Sequence, residues 1–160
     1  MIRPLEKEDR AAVLDLLRAT NNFNPAELAI AAELIDIVLE QPRQRDYYAF
    51  VAKTPIAGFL LLGPVPATAG AWHLYWIAVH PSAQGSGVAH VLQLSAESFV
   101  RDRGGYWLLA ETSSQPGYQR VRAFYCKEGY VELVRIPDYY KPADDLILYG
   151  KRFPAPAALP

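Results

Sequence analysis

Apolar and polar positions follow two periods along this chain, and where one gives way to the other marks the elements. Ile2 to Pro4 is a short extended run. Ala12, Val13, Leu16 and Leu17 recur at helical spacing and predict a helix from about Asp9 to Arg18. A second helix is announced by Asn24 as N-cap, Pro25 at the first helical position and Glu27 three residues after the cap, and should run to about Glu40. Its Leu28, Ile30, Ala31, Leu34, Ile35 and Val38 supply more apolar surface than one stripe needs, while Glu33, Asp36 and Glu40 share a face. That helix reads as lying between the core and a cleft or partner. Tyr47–Lys53 and Ile56–Leu62 predict strands joined tightly through Thr54-Pro55, and Trp72–Val79 predicts a third, rich in aromatic and β-branched residues. The period then returns to helical from Val88 to Arg103, with Val88, Val91, Leu92, Ser95 and Phe99 on one face and Gly104 as terminator. A strand at Tyr106–Glu111, a helix at Tyr118–Glu128 stopped by Gly129, and strands at Tyr130–Ile136 and Leu146–Lys151 complete the pattern. The tail from Phe153 to Pro160 reads as frayed.

This order predicts one α/β domain over residues 1–152 followed by a flexible segment, 153–160, with no internal repeat and no linker. The length of 160 residues suits a single core, and 51% hydrophobic with 21% charged residues is ordinary for a soluble globular protein. A net charge of -1 gives no global field to attract nucleic acid or an anionic membrane, so neither is expected as a partner. From Thr54 to Ala96 there is no Asp, Glu, Lys or Arg. Its apolar segments are broken by glycine and proline well short of the ~20 residues a membrane span needs, so the stretch reads as a sheet centre. The single Cys126 excludes an internal disulfide, and Met1 to Lys7 lacks the apolar core of a signal peptide, which makes a cytoplasmic setting the expectation.

Candidate chemistry concentrates where Leu74–Val79 runs through His80-Pro-Ser-Ala-Gln-Gly-Ser-Gly into a helix. Glycines let a backbone approach a ligand, and the first amides of a helix, with its positive dipole end, suit a phosphate. A glycine-rich turn of this kind is equally an ordinary structural turn. It is no P-loop, because the Gly-Lys-Ser/Thr ending is missing, and His90 stands where a dinucleotide fingerprint needs a third glycine. His73, His80 and His90 fall on strand, turn and helix without ligand spacing, so no metal site is expected. Cys126 has no histidine near it in sequence and reads as an inert thiol.

Gln84-Gly85-Ser86-Gly87-Val88-Ala89 resembles the Gln/Arg-x-x-Gly-x-Gly/Ala signature of the GNAT family of N-acetyltransferases. Tyr118-Gln-Arg-Val-Arg-Ala-Phe-Tyr-Cys-Lys-Glu-Gly-Tyr130 is similar to that family's later helix motif, and the order of elements matches over roughly residues 1–152. The resemblance implies a mixed, mostly antiparallel sheet with flanking helices, splayed near its middle. It implies acetyl-coenzyme A as co-substrate and direct transfer to a primary amine of a small molecule or polypeptide in a ternary complex. Carried over by residue, backbone amides from Gln84, Gly85, Ser86, Gly87, Val88 and Ala89 would hold the pyrophosphate, and Ile77 and Val79 would offer main-chain bonds to pantetheine. Tyr125 matches the general acid that protonates the departing thiolate. Tyr118 and Arg122 share its helix face and would contact the cofactor, although the family often has Asn at Tyr118.

A base for the attacking amine is less clearly marked. The charge-free stretch excludes a carboxylate on the strand before the turn, which leaves Glu111, at the end of a central strand, as base or water-positioning group. Glu111 is also readable as an ordinary strand-end carboxylate, Tyr125 as a packed core aromatic, and His80 as a second base or a capping histidine. Tyr139, Tyr140, Asp144 and Asp145 fall in a segment read as a loop, suited to gripping a cationic amine or simply facing solvent. The absence of Lys and Arg between Lys53 and Arg101 predicts an anion site built on backbone dipoles. An acyl-coenzyme A binding or sensing module without turnover is the rival function, and the oligomeric state is open, a homodimer included.

Overall fold

The computed structural model describes residues 1–157. Its strands are β1 (Ile2–Pro4), β2 (Tyr48–Ala52), β3 (Gly58–Pro64), β4 (Ala71–Val79), β5 (Trp107–Ser113), β6 (Val131–Lys141) and β7 (Asp144–Arg152). The helices are α1 (Arg10–Ala19), α2 (Pro25–Glu40), α3 (Val88–Asp102) and α4 (Gln119–Lys127). The strands form a mostly antiparallel seven-stranded sheet in the order β1-β2-β3-β4-β5-β7-β6. The chain folds as two compact units, one of Met1–Pro64 with Tyr75–Ser98, the other of Val65–Leu74 with Phe99 onward, so β4 and α3 each pass from one unit to the other.

In the first unit β1 pairs antiparallel with β2 and β2 with β3. β3 is apolar on both sides and is buried from Gly58 to Gly63. Val13, Leu16 and Leu17 of α1 and Ala31 and Ile35 of α2 close over Val51, Phe59 and Leu61 in a continuous core. The expected cap of α2 is present in both directions: the Glu27 amide donates to Asn24 Oδ1 at 2.9 Å and the Asn24 amide to Glu27 Oε2 at 2.7 Å. Arg10 ties α1 to α2 through Asp36, with Nε to Oδ1 at 2.5 Å. Arg3 makes a two-pronged bond to Asp9, at 2.6 and 2.8 Å, that fixes the start of the chain. A Cβ added at Gly58 would stand 2.7 Å from both Val88 and Leu92, so a missing side chain lets α3 lie close on β3.

In the second unit β4 and β5 run parallel, with register from Ala71↔Trp107 to Leu74↔Ala110, and β5 pairs antiparallel with β7 along its whole length. One face of β5 and β7, made by Leu108, Ala110, Ile147 and Tyr149, is buried. Tyr125 of α4 stacks on Tyr149 at 5.6 Å between ring centres, which places α4 on that face. On the opposite face Trp107, Leu109 and Leu148 stay half-buried and Glu111 is exposed.

Two expectations need correction. The segment 137–145 is not a loop: β6 and β7 continue to a tight turn at Pro142-Ala143. Ala143 makes that turn with a left-handed φ of 62°, and its amide donates at 2.6 Å to Oδ1 of Asp138, which is itself left-handed (φ 52°) within β6. Phe153, assigned to the frayed tail, is buried, its amide bonded to the Tyr106 carbonyl at 2.9 Å. The rest of that assignment extends to residues 158–160, which lie outside the described residues.

Candidate active site

The turn that carries the first motif is built by short-range bonds. A single 3-10 turn at Pro81–Ala83 is capped by His80, whose Nδ1 accepts from the Ser82 amide at 3.3 Å. His80 is therefore a capping residue. The Ala83 and Ser86 amides donate to the carbonyls of His80 and Ala83, and the Ser86 hydroxyl also donates to Ala83 O at 2.6 Å. Gly85 and Gly87 have φ of 77° and 85°, which only glycine adopts freely, and a Cβ at either would meet nothing within 4 Å. Gln84, Gly85, Ser86 and Gly87 are exposed, while Val88 is buried where α3 begins.

The result is an open cradle. Helix geometry leaves the first amides of α3, from Val88 and Ala89 onward, without intrahelical acceptors, and the dipole of a fifteen-residue helix adds positive potential at that end. An anion of phosphate type fits there. The Gln84 side-chain amide donates to the Val79 carbonyl at 3.4 Å, linking the turn to the end of β4. Ile77 and Val79 lie near the end of β4, beyond the stretch Ala71 to Leu74 that pairs with β5.

Sequence reasoning missed Lys53. It follows β2 at a left-handed φ of 66° and lines, with Met1, Ile2 and Ala52, the same shallow depression as Ser86, Gly87, Val88 and Val91. It is a candidate cation beside a turn for which the sequence suggested backbone dipoles alone. The only sequence clue lay in the Thr54-Pro55 connection, whose tight turn sets Lys53 at a hairpin end.

The remaining candidates belong to the second unit. Tyr125 is buried among Phe124, Tyr130 and Tyr149, each ring 5.6 Å away. Burial pushes its phenol well above the ordinary value, so it holds its proton throughout the neutral range. Tyr118 is the N-cap of α4. Arg122 donates through Nη1 to the carbonyls of Ser113 (2.7 Å) and Gln115 (2.9 Å), which pins the end of β5 to α4. That anchoring role leaves the guanidinium's other donors for any contact with a phosphate.

Glu111 follows the last β4–β5 pair, Leu74↔Ala110, and stands opposite Leu148 on the half-open face. His73, paired with Leu109, faces the same side; burial lowers its pKa while the Glu111 charge pulls the other way. Partial desolvation of an otherwise exposed ring, with the negative charge of Glu111 nearby, pushes the Tyr140 phenol up to about 12, and the ring stands edge-on to Tyr139 at 5.0 Å. Glu111, His73 and Tyr140 thus form one neighbourhood, of which the sequence marked two members for chemistry. Asp144 ties β7 to β5 and Asp145 ties β7 to β6. Asp144 is buried and accepts from the Ser113 hydroxyl, and Asp145 accepts from the Asp138 amide at 3.1 Å. Cys126 is exposed, and among the described residues no cluster of His, Cys, Asp and Glu could hold a metal.

Residues 45–132 match the family described as the acetyltransferase (GNAT) domain, more than half of the chain. The chain belongs to the GNAT acetyltransferase family. A solved protein from Desulfovibrio desulfuricans, assigned to the acetyltransferases of that family, is 33% identical with a TM-score of 0.91, over 95% of this chain and 98% of its own. Two more distant structures share the fold. The ribosomal-protein-S18-alanine N-acetyltransferase of Escherichia coli has a TM-score of 0.78 at 20% identity, over 100% of this chain and 98% of its own. An aminoglycoside 6'-N-acetyltransferase in complex with coenzyme A has a TM-score of 0.77 at 19% identity, over 98% and 99%. No curated protein matches the sequence. Among the described residues of this GNAT protein no helix is long and apolar enough to cross a membrane.

Proposed function

We propose that this chain transfers an acetyl group from acetyl-coenzyme A to a primary amine by direct attack within a ternary complex. The observation that carries the reading is the cradle from Gln84 to Ala89: two left-handed glycines with nothing above them, opening into the start of a long helix. Acetyl-coenzyme A supplies an activated thioester. The amides of the turn and of the first turn of α3 hold its diphosphate, Lys53 adds a positive charge beside them, and the main chain at Ile77 and Val79 orients pantetheine.

Tyr125 acts as a proton donor and never as a base, because burial keeps the phenol protonated. A phenol is a weaker acid than a thiol, and burial widens that gap, so its main contribution is a hydrogen bond that grows as the thiolate develops. Glu111 takes the amine's proton, directly or through water. Arg122 and Tyr118 position the end of β5 and the start of α4.

Release of free thiol from acetyl-coenzyme A, measured against a panel of primary amines, tests the assignment. Amine-dependent release is expected, with an acetylated amine as the second product in equal amount. Binding of acetyl-coenzyme A with no release under any amine would replace the enzyme by a sensing module.

A further inference from the structure

Strand β6 ends the strand order, and every residue in it is exposed. Its first half carries four large aliphatic side chains: Val131 (57%), Leu133 (41%), Val134 (46%) and Ile136 (43%). An edge strand offers an unpaired row of amides and carbonyls to another strand, and apolar side chains along it favour such pairing. What kind of strand fits is decided by a bulge. Val131 stands opposite Gly150 and Glu132 opposite Tyr149, but Val134 is the residue opposite Leu148, so Leu133 is inserted. Leu133 turns to the same side as Val134, since its Cδ1 fills the place where a Cβ of Gly150 would be.

From Val131 to Ile136 the side chains therefore point to one face, the other, the first twice, the other, and the first again. That pattern reads the same in both directions about the midpoint between Leu133 and Val134. We propose that a second copy of this chain pairs antiparallel with β6 about that midpoint. Val131 then faces Ile136 of the second copy and Leu133 faces Val134, on one side of the joined sheet. On the other side Glu132 faces Arg135 of the second copy. Within one chain these two already pair, Nε to Oε1 at 2.9 Å, so the two-fold brings two ion pairs into a ring of alternating charge. Pro137, which has no amide hydrogen, ends the ladder at the next position. The contact is isologous and closes on itself as a dimer. It stands independently of the reading of the active site.

Sedimentation of the full chain tests the pairing. The wild type should sediment as a dimer. Glu132→Arg and Arg135→Glu each set like charges opposite one another at two symmetric places and should weaken association about tenfold to a hundredfold. Both positions are exposed, so folding should be unaffected, as circular dichroism would show. Mixing the two variants should recover a dimer containing one of each, because one strand then carries only positive and the other only negative charge at these positions. A monomeric wild type, single variants that dimerise as tightly as wild type, or a mixture that stays monomeric would each overturn the proposal.

Discussion

Tyr125 shows what a side chain's surroundings add to its place in a motif. The sequence put it on one helix face with Tyr118 and Arg122, but it did not show that three rings enclose it or that burial raises its pKa. Phe124 and Tyr130 belong to the same motif, but Tyr149 comes from β7, and no local pattern announces so distant a partner. Tyr125→Phe keeps the ring packing and removes the hydroxyl. Turnover should fall by about 10²–10³ with cofactor affinity nearly unchanged, as steady-state kinetics and a binding titration would show. His73 carries a prediction for stability. Its pKa is lowered in the folded protein, so the unfolded chain binds its proton more readily; the folded state is favoured fully above the ordinary value of 6.5 and loses that advantage as pH falls below it. His73→Gln should remove this part of the acid-side decline, measured by urea unfolding from pH 7.5 to 5.5. An unchanged profile would mean that other groups carry the decline.

Helices were legible where their ends are chemically marked. Asn24-Pro25 and Glu27 mark the start of α2, and the cap forms as read; Gly104 and Gly129 follow α3 and α4 at left-handed φ of 74° and 85°. Asn24→Ala should cost about 1 kcal/mol in urea unfolding, because it removes the acceptor for the Glu27 amide at an exposed helix end. A loss near zero would show that the Pro25 start holds the helix without its cap. Strand limits were less legible. β3 begins at Gly58 rather than Ile56, since the Thr54-Pro55 turn takes up residues that the apolar run had assigned to the strand. The tip of β6 and β7 was misread as a loop because Pro137, Asp138 and Pro142 all signal turns, yet only Pro142-Ala143 makes one, while Asp138 is absorbed within β6. The bulge at Leu133 left no mark in the sequence at all, because an inserted apolar residue in an apolar run looks like its neighbours.

For the whole molecule, the order of helices and strands was readable throughout, and with the two motifs it identified the family that the comparisons show. Net charge carries no information about the site, where Lys53, at the end of β2, lines the same depression as Ser86 and Gly87. The account rests on that turn. Titration calorimetry of coenzyme A into the wild type and into Gly87→Asp tests it most directly, because the substitution places a side chain and a negative charge above an otherwise open backbone. Asp is among the residues that best tolerate left-handed φ, so the variant should fold, which its unfolding curve would confirm. The account predicts saturable binding to the wild type and a loss of about a hundredfold or more in the folded variant. A folded Gly87→Asp protein that binds coenzyme A as tightly as the wild type would contradict it.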